Sequence, residues 1–409
     1  MTGNLGRRSA PAIRLAAGTI ALALSPAVAG VLAARSLGPD GRGELAVALA
    51  VATIAGSIGM RGFDVAIMSI DRRDLDDRAA VSLIGRRAGR VLVVEGPVAA
   101  AVAAMVLRSL PPVLLISVVS MSALSTAFLL LRALNLRSSL NRRVLASDCT
   151  VAASSLAAAI VAAARDAPAG GYVLAACLGL AVGCAVGLTG REVPAAAHPS
   201  TSAEIVSGRQ LEGTLAPVAG PAWKARVFQT ASFRLDRVVL AAVGGVATAG
   251  VYAAVLPIAE MTTIVQLHLA QLVNAQIADA DGGRRWGSLS LSRLAIGSSA
   301  LLVSAVIVAA PQLIDLIYGP EFAGGVNALR ILAVASLISL VWRLAEAELF
   351  GRRAPTGAVR ATVVAAVLTV GGTALLGGIG PAAASVASLV GYSAALAVVL
   401  VSLREVRRA

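Results

Sequence analysis

Long apolar runs alternate with short polar or basic gaps along the whole chain, and about twelve such runs fit within its 409 residues. A helix needs about 20 apolar residues to cross roughly 30 Å of hydrocarbon. The runs place spans at about Leu15–Ala34, Glu44–Met60, Val91–Leu107, Pro112–Leu131, Val144–Ala164 and Gly171–Thr189 in the first half. The second half carries Gly213–Val243, Ala249–Ile277, Leu291–Ala310, Val326–Phe350, Val359–Gly378 and Ala382–Leu403. The predicted fold class is therefore an all-α polytopic membrane protein with about 12 transmembrane helices. Ser36-Leu37-Gly38-Pro39-Asp40-Gly41 predicts a tight turn between spans 1 and 2. Span 7 is long, and Pro217 and Pro221 predict that it tilts or breaks. The charged stretch 61–90 reads as a solvated loop carrying an amphipathic helix, in preference to a metal cluster of its aspartates. The polar segment 196–212 divides the chain into 1–195 and 213–409, each with six spans.

Composition turns this pattern into a class. The chain is 57% hydrophobic and only 14% charged, with a mean hydropathy of +0.83, against about 25% charged residues in a soluble domain. The net charge of +13 would suggest nucleic acid in a soluble protein. Here the arginines gather in alternate gaps: 61–90, 132–143, 190–212, 279–290, 351–358 and both ends. The positive-inside rule puts those gaps, the linker and both termini on the cytosolic side of the membrane, and no nucleic-acid partner is implied. Arg7, Arg8 and the small residues around Ala27-Val28-Ala29 mimic a cleavable leader, but the apolar pattern continues as a paired span. Cys149, Cys177 and Cys184 form no CxxC pair and read as small core residues.

Charge within the apolar runs is where chemistry enters. From Pro221 to Asn274 the chain carries Lys224, Arg226, Arg234, Asp236, Arg237, Glu260, His268, Gln271 and Asn274. Ionisable groups at membrane depth face a cavity or a partner inside the bundle, or snorkel to the headgroups from a helix end. Arg226, Gln229, Thr230, Phe233 and Arg237 recur at helical spacing and share one face. Glu260, Thr263, Leu267, Gln271 and Asn274 do the same on the next span. Two adjacent polar stripes predict a hydrophilic chamber inside an apolar shell.

The halves also resemble each other. Pro11-Ala12-Ile13-Arg14 resembles Pro221-Ala222-Trp223-Lys224, and Leu32-Ala33-Ala34 followed by Gly43-Glu44-Leu45-Ala46 resembles Leu240-Ala241-Ala242 followed by Gly250-Val251-Tyr252-Ala253. Such parallel repeats are common in transporters. The run from Leu32 to Ala46, Leu-Ala-Ala-Arg-Ser-Leu-Gly-Pro-Asp-Gly-Arg-Gly-Glu-Leu-Ala, resembles the span 1–2 signature of polysaccharide and lipid-linked oligosaccharide flippases. These belong to the multidrug/oligosaccharidyl-lipid/polysaccharide exporter superfamily. Leu235-Asp236-Arg237 with the Gly250 motif, and Leu316-Ile317-Tyr318-Gly319-Pro320-Glu321-Phe322, are similar to that family's span 7–8 and span 9–10 patterns.

The resemblance implies two six-helix bundles around a central cavity, with alternating access. It implies transfer of a polyprenyl-pyrophosphate-linked glycan from the cytosolic to the outer leaflet. Membrane lipids and other polysaccharide-assembly membrane proteins are the implied partners, and no cofactor is implied. Cationic walls would offset the desolvation of a pyrophosphate, and arginine forks match its oxygens. Arg14, Lys224, Arg226 and Arg237 are the candidates for that role. Glu260 and Asp236 are the candidates for ion or proton coupling, which a cation-driven drug antiporter of the same superfamily would need. Gly38, Pro39, Gly43, Gly250, Tyr252 and Gly319 are expected to be structural. An envelope transferase is a weaker reading, since no GxSxG, HExxH or phosphate-loop motif is present.

Overall fold

The computed structural model describes the backbone over residues 5–69, 77–108, 111–138, 141–189, 208–278, 285–351 and 355–408. Side chains are described over 17–68, 77–108, 111–138, 142–189, 211–263, 293–349 and 356–406. Thirteen α-helices follow in order: α1 (Leu5–Met60), α2 (Phe63–Ser69), α3 (Asp77–Arg90), α4 (Gly96–Leu107), α5 (Pro112–Arg137), α6 (Asn141–Ala164), α7 (Ala169–Leu188), α8 (Gly208–Gly244), α9 (Val246–Ala278), α10 (Arg285–Ile317), α11 (Val326–Gly351), α12 (Pro355–Leu376) and α13 (Pro381–Arg408). There is no strand among the described residues. Among the described residues, ten segments are long and apolar enough to cross a membrane. α1 consists of two helices that meet at Gly38, and α8 is too charged for that criterion though 37 residues long. Counting both gives twelve crossings and two six-helix lobes in a multi-pass membrane protein.

Two sequence expectations are narrowed. The turn between spans 1 and 2 shrinks to one residue, Gly38 at φ 66° and ψ −173°. Span 7 is not broken: α8 runs unbroken through Pro217 and Pro221. Leu211, Leu215 and Ala219 pack in a core with the first lobe, and packing against neighbouring helices lets a membrane helix tolerate proline.

One local rule shapes the short-turn end of the bundle. Gly38, Gly319 and Gly380 each precede a proline, and each has positive φ with ψ near 180°. A residue before proline avoids the helical region, and positive φ with extended ψ is essentially open to glycine alone. Each Gly-Pro pair therefore stops one helix and starts the next within a residue or two.

In the first lobe, α1 packs on α4, α5 and α6, and α5 and α6 pack on α7. In the second, α8 packs on α12, α9 on α11, and α11 and α12 on α13. The lobes meet in two places. At the short-turn end the second half of α1 lies along α9. At the opposite end the beginning of α8 crosses onto the first lobe, where Leu211, Leu215 and Ala219 share a core with Phe63, Ile67, Leu83 and Leu134.

Candidate functional site

The contact between α1 and α9 is built on two glycines. A Cβ on Gly43 would fall on the carbonyl of Val246, and one on Gly250 would fall on the carbonyl of Pro39. Each carbonyl lies four residues before the opposing glycine, so the contact is reciprocal across the two halves. Backbones approach this closely only where side chains are absent. Arginines tie the rest of the seam. Arg42 donates to the Ala253 carbonyl at 3.0 Å, and Arg35 donates to Ile317 at 2.7 Å and to Leu316. Tyr318 donates to the Ala254 carbonyl.

Asp236, 1% exposed, sits beneath this seam on α8. It accepts from the Tyr252 hydroxyl at 2.6 Å and from the Arg237 amide at 2.8 Å, and Tyr252 reaches Ser388 at 3.1 Å. The motif tyrosine is thus a hydrogen-bond partner of the motif aspartate. Arg237 is buried beside it, and its Nε finds no acceptor among the described residues.

Below the seam the lobes part around a chamber of about 340 Å³. Thr53, Ser57 and Leu129 face it from the first lobe. From α8 come Arg226, Gln229, Thr230, Phe233 and Arg234; α9 adds Glu260 and Thr263, and α11 adds Arg343. Among the described residues, three guanidinium groups therefore share these walls with one carboxylate. Arg343 lies 4.4 Å over the Phe233 ring, and its Nε has no hydrogen-bond partner among the described residues. Arg234 has Arg237 as its strongest charged neighbour, with Glu260 and Asp236 partly offsetting that repulsion. Phe233, Trp342 and Tyr392 pack together behind the arginines, which holds the α8 and α11 walls in register. A second groove of about 470 Å³ between α4 and α5 is lined by apolar side chains and Ser120.

The sequence-predicted residues separate on this geometry. Arg226 and Glu260 face the chamber, with Gln229, Thr230, Phe233 and Thr263 from the two stripes. Lys224 does not: it is exposed and outside the lining, because two residues on a helix turn about 200° and put it on the opposite side from Arg226. Arg237 keeps the stripe's direction but lies where the lobes touch, so packing covers it. The Arg14, Leu267, His268, Gln271 and Asn274 side chains lie outside the described residues, as does most of 196–212. Gly43 and Gly250 are in the seam, Gly38 and Gly319 are at helix junctions, and Pro39 supplies the carbonyl under Gly250. Sequence reasoning left out Arg343, which shares α11 with Arg330, Glu346 and Glu348; the cost of an ionisable group within an apolar span would have flagged it.

No protein-family model and no curated protein sequence matches the chain. Its fold is similar to that of a multidrug resistance MATE family transporter of the MOP superfamily in an inward-facing conformation. The TM-score is 0.74 at 15% identity, over 95% of both chains. Against an outward-facing conformation of such a transporter the TM-score is 0.62 at 14% identity, over 97% of this chain and 94% of the other. The lipid II flippase MurJ, inward closed, gives 0.70 at 9% identity, over 96% of this chain and 87% of that one. The fold is thus similar to that of these MOP superfamily transporters.

Proposed function

We propose that this chain is a MOP-type exporter that flips an anionic, polyprenyl-pyrophosphate-linked glycan between leaflets by alternating access. The observation that carries the reading is the guanidinium lining of the chamber: Arg226, Arg234 and Arg343 face it with Glu260, while Asp64 pairs with Arg226 and Glu346 lies near Arg343. A diphosphate entering a low-dielectric site loses much hydration, and fixed guanidinium groups replace it. The chamber is in the size range of small-molecule pockets, so it holds the head of an amphiphile while the prenyl tail stays in the bilayer. A cation-coupled drug antiporter is the competing reading. It draws support from the likeness to MATE transporters and from Glu260, but an excess of arginine repels a cationic drug.

The test is transport in proteoliposomes of a labelled prenyl-diphosphate glycan by the parental chain and by Arg234→Gln and Arg343→Gln. A hydrogen bond to a charged group contributes about 1.5–3 kcal/mol, so each variant should flip at least about tenfold more slowly, and the pair more slowly still, at normal protein levels. Parental flipping by the double variant, or parental efflux of a cationic dye that the same variants speed up, would overturn the reading.

The loop-rich end belongs in the cytosol on this reading, because the basic gaps lie there. A reporter fused after Arg408 should be active only in its cytosolic form, and activity restricted to the outside would exclude this topology.

A further inference from the structure

Arg226 differs from the other chamber arginines in one respect: its partner comes from the opposite lobe. Its guanidinium pairs with Asp64 of α2. Asp64 follows Gly62, whose φ of +73° turns the chain out of α1. Phe63, Ala66 and Ile67 anchor α2 in the core shared with α3, α5 and the start of α8, which holds the carboxylate in place. The Arg226 side chain is 38% exposed against 13% for Asp64. The second oxygen of Asp64 is buried and has no hydrogen-bond partner among the described residues.

The beginning of α8 does not need this pair to stay docked. Arg87 pairs with Glu212, Trp223 donates its indole N–H to the Ile58 carbonyl at 3.1 Å, and Gly62 admits the α8 backbone at Ala219. A half-exposed ion pair adds little to such packing. The pair does change what an incoming anion meets. A guanidinium offers its forked N–H groups to one planar oxyanion at a time. Arg226 is paired with Asp64, whereas among the described residues no first-lobe ion pair is seen for Arg234 or Arg343.

We propose that Asp64 is the resting counter-ion of Arg226 and that the anionic head group displaces it on loading. Asp64 then sets the affinity of the chamber, and loading breaks one tie between the lobes. A group that reaches Arg226 alone only exchanges one oxyanion for another. A diphosphate that also reaches Arg234 or Arg343 gains new contacts and wins the exchange. This rests on the reading of the chamber as an anion site.

Calorimetric titration of the purified full chain in nanodiscs with inorganic pyrophosphate separates the two. Arg226→Gln and Arg343→Gln should each weaken binding, and if neither does, or the parental chain does not bind, the chamber reading itself fails. If they do, Asp64→Asn should bind roughly two- to fivefold tighter, the range for losing a partly exposed competing ion pair. In the Arg226→Gln background the same change should have no effect. An unchanged or weaker affinity in Asp64→Asn would overturn the inference while leaving the chamber reading intact. Tightening that persists without Arg226 would do the same, because it would show a through-space charge effect only. Asp64→Ser serves as a second neutral variant; if both fail to fold, Asp64 is a structural residue and the proposal is wrong.

Discussion

Gly250→Ala is expected to destabilise the protein, although the same change in an unobstructed helix stabilises it. Alanine is favoured over glycine in a helix interior by about 1 kcal/mol, because glycine loses more backbone freedom on folding. At Gly250 the added methyl falls on the Pro39 carbonyl, and at Gly43 it falls on that of Val246. Both obstacles are backbone, so neither can rotate away, and overpacking costs about 1–3 kcal/mol or more. Leucine at either site should sharply reduce folded protein extracted from the membrane. Gly371→Ala is the matched control, since nothing lies within 4 Å of its Cβ position, and it should be neutral or slightly stabilising. Because the two glycines form one reciprocal contact, the double alanine variant should cost less than the singles added together. Melting of the detergent-solubilised protein followed by gel filtration reads all of these. Normal abundance and melting with transport abolished would show instead that the glycines serve the transport cycle and not assembly.

Removing the Asp236 carboxylate should be the most damaging single change at a charged residue. Asp236 is 1% exposed and Arg237 is 6% exposed, and Arg42 and Arg234 lie within the same field. Taking one partner from a buried charged cluster typically costs about 3–5 kcal/mol, because the remaining charge is left uncompensated. Asp236→Ala also strips the acceptor from the Tyr252 hydroxyl and the Arg237 amide. It should therefore yield little folded protein. Asp236→Asn keeps an acceptor oxygen and should be milder. The sign of the electrostatics is checked by Arg237→Gln, which should partly rescue Asp236→Asn by removing the excess positive charge. A stable Asp236→Ala protein with the parental melting temperature would exclude the counter-ion role.

Much of the fold was legible without coordinates, and the reasons are local. Hydrocarbon thickness sets the length of each apolar run, so the helices and their approximate ends follow from counting. A glycine before a proline forces a helix junction by backbone sterics, and Gly38-Pro39 and Gly319-Pro320 stand out on that ground. Helical period assigns Arg226, Gln229, Thr230 and Phe233 to one face, and that face lines the chamber. The similarity of the Gly43 and Gly250 segments anticipated two equivalent places, and the structure brings those two places into mutual contact.

The remainder depended on which faces meet and at what depth. Arg237 belongs to the same stripe as Arg226, yet one is buried under the seam and the other faces the chamber; period gives direction around a helix and says nothing about how far along it a neighbour touches. Asp64 sits in a charged stretch that reads as solvated loop, and only the docking of α8 on α2 makes it the partner of Arg226. Arg343 lies more than 100 residues from the arginines it joins. Spans, junctions and polar faces are properties of a segment and its solvent, so the sequence alone determined them. The composition of the chamber and the pairing of its charges are sums over segments distant in the chain, and only the tertiary packing of the two lobes decided them.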